Sequence, residues 1–109
     1  MNDSFLSLLG LCRKAGKLSL GHDACKVSAN NGRASAIFIA SDASQRLIEE
    51  ISGLSERNNI ETYFIKYTML EIKTAIGVKS AVMSVDDSGF AKSLIEKLNN
   101  NGRNEAYDK

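Results

Sequence analysis

One histidine and two cysteines are all the imidazole and thiol groups in this 109-residue chain. Cys12 and Cys25 stand thirteen positions apart, with no CxxC spacing and no second histidine. That is too few ligands for a structural zinc site. Long apolar runs are missing too: none approaches the roughly 18 residues of a membrane span. The opening MNDSFLSLLGLC lacks the basic leader and small-residue cleavage site of a secretory signal. The expectation is a cytoplasmic protein with reduced, part-buried thiols, no metal and no other cofactor. A charge excess is absent as well, with 14 Lys and Arg against 13 Asp and Glu, which excludes a strongly basic nucleic-acid coat protein.

What is present is ordinary for one soluble domain: 43% hydrophobic and 25% charged residues, enough to bury a core. The charge is unevenly spread. Residues 1–33 carry Arg13, Lys14, Lys17, Lys26 and Arg33 against Asp3 and Asp23, a net of +3. Residues 34–109 carry nine basic and eleven acidic groups, a net of −2. Such asymmetry suits an anionic partner at one end of the molecule.

Helical spacing of Phe5, Leu8, Leu9 and Cys12 predicts a helix over 4–15, capped by Asp3 or Ser4 and stopped by Gly16. Residues 17–20 read as extended, and a second helix is expected from His22 to about Asn30. ASAIFIA (34–40), ETYFIKY (61–67) and SAVMSV (80–85) read as strands. Between them, Ser41 or Asp42 is expected to cap a helix ended by Asn58-Asn59, and Thr68 with Glu71 forms a capping-box pattern for a short helix ending at Gly77. Asp86-Asp87-Ser88-Gly89 leads into a last helix over roughly 89–98. The core is expected to hold Phe5, Leu8, Leu9, Phe38, Phe64 and Phe90, with Tyr63 and Tyr67 half-exposed. The tail 100–109 is expected to be disordered, leaving 1–99 as one domain. Strands alternating with helices predict a three-layer α/β sandwich with helices on both faces of the sheet.

Catalysis finds little support. There is no GxxxxGK[ST] loop and no GxGxxG fingerprint, and no Ser or Cys is presented beside the sole histidine. Asp86-Asp87 follow an apolar strand, where α/β enzymes keep carboxylates; the plainer reading is acidic residues at a helix start, favoured by its dipole. The stretch GHDACK is more informative. At a helix start, His22, Asp23 and Lys26 share a face, and the free N–H groups there add positive potential. Donors beside an acceptor suit nucleobase edges, since guanine shows O6 and N7 acceptors near N–H donors. The plainer alternative is that Asp23 complements the dipole and Lys26 is merely solvated.

The segments LLGLCRKAGKLSLGHDACKVSANNGRASAIFIASDAS and YFIKYTMLEIKTAIGVKSAVMSVDDSGFAKSL together resemble the L7Ae family of ribosomal proteins, most of all its small bacterial members of the YlxQ type. The marks are RKAGK, the glycine opening the second helix, IASDAS, AIG and DxGFAK, and they cover residues 5–98. The resemblance implies an α-β-α sandwich with a four-stranded mixed sheet and a non-catalytic RNA-binding function. Its target would be the kink-turn, a duplex sharply bent at a bulge beside tandem sheared G·A pairs. The family's Gly-x-Asn-Glu-x-x-Lys element then falls on Gly21, His22, Asp23 and Lys26, aligned at the helix start without the intervening residue.

By the same resemblance, Ile76, Gly77, Val78 and Lys79 form a second wall packed on the bulged nucleotides. Lys14 and Lys17, with Arg13, would lie near phosphates. Departures from the pattern are His22 for Asn, Asp23 for Glu, and Met69 where many relatives carry a basic residue. The implied partners are a structured RNA, ribosomal or regulatory, and a ribosome or protein partner, with no membrane. An adaptor for other proteins on the same scaffold is the alternative.

Overall fold

Asp3 opens the first helix: its carboxylate accepts from the Leu6 N–H at 3.1 Å, and α1 runs Ser4–Lys14. The computed structural model describes residues 3–103. After α1 come β1 Leu18–Leu20, α2 His22–Asn30, β2 Ala36–Ile39, α3 Gln45–Asn58, β3 Thr62–Phe64, α4 Met69–Ile76, β4 Val82–Val85 and α5 Ser88–Arg103. The strands lie in the order β1-β4-β2-β3, with β2 and β3 parallel and the other pairs antiparallel. The expected α-β-α sandwich on a four-stranded mixed sheet is what forms.

Strand alternation sorts the core into two layers. Ala36, Phe38, Met83 and Val85 face α1, α4 and α5, where they meet Phe5, Leu9, Cys12, Ile72, Ile76 and Leu94. Ile37, Ile39 and Val82 face α2 and α3, meeting Cys25, Ala29, Ile51 and Leu54. Phe5 meets Phe38 edge-on at 5.6 Å between ring centroids and stacks on Tyr67 at 5.3 Å.

Several expectations are corrected. β3 is shorter than 61–67, and Phe64 is 62% exposed rather than core. Phe64 pairs with Ile39, so it faces the α2–α3 side, but at the sheet's edge that helix layer does not cover it. Tyr67, expected half-exposed, is buried; its hydroxyl donates to Asp3 Oδ2 at 2.5 Å. Leu8 and Phe90 are only partly buried. The α3 cap is neither Ser41 nor Asp42 but Ser44, whose hydroxyl accepts from Leu47 N–H. Asp42 accepts instead from Met69 N–H at 3.0 Å, at the start of α4. The capping box of Thr68 and Glu71 is complete, and Asn59 in the left-handed region ends α3. α5 continues past 98 to Arg103; the expected disorder of the tail falls, for 104–109, outside the described residues.

Tyr67→Phe tests the tie between α1 and the β3–α4 connection. It keeps the ring stack and removes a bond to a carboxylate, so a loss of about 1.5 kcal/mol is expected. Thermal unfolding monitored by circular dichroism should show a midpoint roughly 6–12 °C lower, at about 4–8 °C per kcal/mol for a domain this size.

Candidate nucleic-acid interface

Gly21 stands between β1 and α2 with φ 90° and ψ 166°, a conformation that favours glycine. Its N–H donates to the Val82 carbonyl at 3.0 Å, continuing the β1–β4 pairing by one residue. The loop 77–81 leads directly into Val82, so the start of α2 and the α4–β4 loop emerge side by side at one end of the sheet. Ala40 N–H donates to the Ala81 carbonyl at 2.9 Å, which fixes the loop's other flank against β2.

At the helix start, Asp23 and Lys26 are exposed and His22 is half-buried. Among the described residues, no carboxylate lies within ion-pair reach of Lys26. His22 leans toward α3: its Nδ1 lies 3.7 Å from Glu50 Oε1 and 4.0 Å from Asp23 Oδ1. His22 and Lys26 line a crevice between α2 and α3 with Glu49, Glu50, Gly53, Leu54 and Arg57. Glu50 had no local signal in the sequence; it enters only through helix packing.

On the loop, Gly77 ends α4 at φ 85°, and Val78 and Lys79 are exposed. Ile76 does not belong to this surface. It is 6% exposed and packs in the core beneath α1, so the expected apolar wall reduces to Val78. Arg13 also departs from its expected place at a phosphate: its Nη1 donates to the Ile76 carbonyl at 2.5 Å, tying α1 to the end of α4. Lys14 and Lys17 are exposed. Lys17 sits at the other end of β1, its carbonyl accepting from Asp86 N–H. It stands four positions before Gly21, about 13 Å at the usual rise of a strand. The structure thus gathers Gly21, His22, Asp23 and Lys26 at the start of α2, brings Gly77, Val78 and Lys79 to the same end of the sheet, and sets Lys17 apart.

The remaining reactive groups are structural. Burial, reinforced by the Asp86 charge, pushes each thiol up: Cys12, where Asp87 adds to the effect, to about 12, and Cys25, despite hydrogen bonds from Ser84 that oppose the shift, also to about 12. Neither is a thiolate nucleophile near neutral pH. Asp87 Oδ2 accepts from Phe90 N–H at 2.8 Å, capping α5. Asp86 accepts from the hydroxyls of Ser19, Ser28 and Ser84 at 2.5, 2.6 and 2.7 Å. The acidic pair after β4 is therefore a helix start and an internal tie.

The profile of the Ribosomal protein L7Ae/L30e/S12e/Gadd45 family matches residues 3–95. The chain belongs to this family. Among its relatives, the "RNA-binding protein YlxQ" of Enterococcus faecium is 30% identical over 93 residues, covering 85% of this chain and 89% of that one. The protein of the same name from Bacillus subtilis (strain 168) is 28% identical over 96 residues, covering 84% and 91%. Of solved structures, a protein of unknown function from Bacillus halodurans C superposes with a TM-score of 0.84 at 24% identity, over 90% of this chain and 99% of that one. The Giardia lamblia 15.5kD RNA binding protein gives 0.71 at 18%, over 92% and 89%. The last two likenesses establish the fold alone. Among the described residues, no helix is long and apolar enough to cross a membrane, and no three His, Cys, Asp or Glu side chains cluster as metal ligands.

Proposed function

We propose that this chain is a non-catalytic RNA-binding protein that grips a sharply bent, kink-turn-like RNA bearing sheared G·A pairs. The observation that supports the reading is the Gly21–Val82 hydrogen bond, since Val82 is where the chain enters β4 from the Gly77–Lys79 loop and the polar start of α2 therefore lies at the same end of the sheet. Family membership and two relatives named as RNA-binding proteins support it. Sheared pairs free base edges that Watson–Crick pairing occupies. Lys26 donates to guanine O6 and N7 while Asp23 accepts from guanine N–H groups. Val78 meets unstacked bases, in the way proteins read RNA bulges, and Lys14, Lys17 and Lys79 attract phosphates. The protein holds the RNA bent by binding that state better than the straight one. The RNA would be ribosomal or regulatory and the setting cytoplasmic, in keeping with two buried cysteines that are not joined.

The test is a binding titration with two RNAs: one with a bulge and tandem G·A pairs, one with those pairs made Watson–Crick. Tighter binding of the first is expected. Equal affinity leaves only general attraction to RNA. No affinity for either favours the adaptor reading, for which Phe64, 62% exposed on an edge strand, offers a contact.

A further inference from the structure

We infer that His22 sets this protein's discrimination between purine-pair geometries, and that Glu50 is the positioning residue that makes it a hydrogen-bond acceptor. The inference rests on the RNA-binding reading above and adds two roles to it, one of them on α3.

The geometry begins with the ring. The nitrogen nearer to carboxylates is Nδ1, 3.7 Å from Glu50 and 4.0 Å from Asp23. A neutral imidazole carries one proton, and which nitrogen holds it is set by the partners of each. Two negative charges on the Nδ1 side favour the proton there. The lone pair then lies on Nε2, across the ring from those charges. Glu50 is itself steadied: its Oε2 meets Arg46 Nε at 3.4 Å, one turn earlier on α3, leaving Oε1 for the histidine. The other charged groups of this crevice are Lys26 on α2 and Glu49 and Arg57 on α3. The side chain of His22 is 38% exposed, so a ligand reaches it.

An asparagine at this position would present both a donor and an acceptor. A neutral histidine with its proton on the Nδ1 side, where the two carboxylates stand, presents an acceptor only at Nε2. Guanine N–H groups freed by sheared pairing supply the matching donor, and the same groups are unavailable in a Watson–Crick pair. Acid changes the sign of the contact. An imidazolium donates from both nitrogens, so it attracts phosphate in any RNA and no longer accepts from guanine. Preference for G·A pairs therefore falls on acidification, while general attraction to RNA does not.

The experiment measures fluorescence anisotropy of the two RNAs above with the full chain and its H22N, E50Q and double variants, across pH 5–8, where histidine ordinarily changes charge. The readout is the ratio of the two affinities. In the wild type it is expected to fall about threefold to tenfold from pH 8 to pH 5, the worth of one hydrogen bond. The ratio should be flat in H22N. E50Q should lower it by a similar factor at pH 8, and should change nothing further in the H22N background. A preference that survives in the wild type but moves with neither pH nor E50Q overturns the inference alone. So does an E50Q effect that persists without His22. Equal affinity for both RNAs at every pH removes the kink-turn reading itself and the inference with it.

Discussion

Asp86→Ala is expected to destabilise the domain by roughly 3 kcal/mol, read from the urea midpoint of unfolding. Asp86 extends the alternation of β4 toward α2, and three serine hydroxyls converge on its carboxylate from β1, α2 and β4. Ser28 and Ser84 are fully buried. Alanine leaves their hydroxyls with no acceptor in place of the carboxylate, and an unsatisfied buried donor costs about 1–3 kcal/mol. Asp86→Asn separates charge from geometry. Its amide oxygen keeps the two bonds that Oδ1 makes, to Ser28 and Ser84, and the Ser19 hydroxyl turns to accept from the amide nitrogen. A loss about half as large is expected. Should Asn prove as damaging as Ala, the tie depends on the negative charge, not on the number of acceptors. Because Ser28 belongs to α2, Asp86→Asn also tests whether anchoring that helix tunes its tip. An RNA affinity that falls while the fold persists locates the coupling.

Local grammar is readable at several contacts whose partners are near in sequence. Thr68 and Glu71 lie three residues apart and cap α4 reciprocally; Asn59 ends α3 within its own turn. Where the partner is remote, the reading failed for an identifiable reason. Asp42 has the chemistry of a helix cap but bonds Met69, 27 positions on, leaving the α3 start to Ser44. Alternation in ETYFIKY defines two faces without saying which one is covered. That answer depends on α1, whose Phe5 stacks on Tyr67, and on an edge position that leaves Phe64 open.

The candidate site follows the same rule. Gly21, His22, Asp23 and Lys26 fall within six residues of sequence and remain together at the helix start. Ile76 reads as part of the same loop as Val78 because the chain gives no sign that α1 lies over it. Glu50 was invisible because its link to His22 exists only once α2 and α3 pack. Arg13 was readable as a cation but not as the donor to Ile76, 63 residues away.

Lys26→Ala is expected to weaken binding of the G·A-bearing RNA by about 1–3 kcal/mol, the worth of a good base contact. Lys26 is exposed and no carboxylate among the described residues pairs with it, so the fold should be unaffected. The informative comparison is with Lys17→Ala, made at the far end of β1. A lysine that touches phosphate weakens all RNAs alike and lowers the slope of affinity against salt by roughly 1. A lysine that reads a base edge reduces the preference for the sheared pairs. Lys17→Ala is therefore expected to change the salt slope and keep the preference, and Lys26→Ala to erode the preference. Titrations of both variants against both RNAs at several salt concentrations separate the two roles. If Lys26→Ala behaves as Lys17→Ala does, the tip of α2 contributes charge and not recognition, and the selectivity of the site must come from the loop.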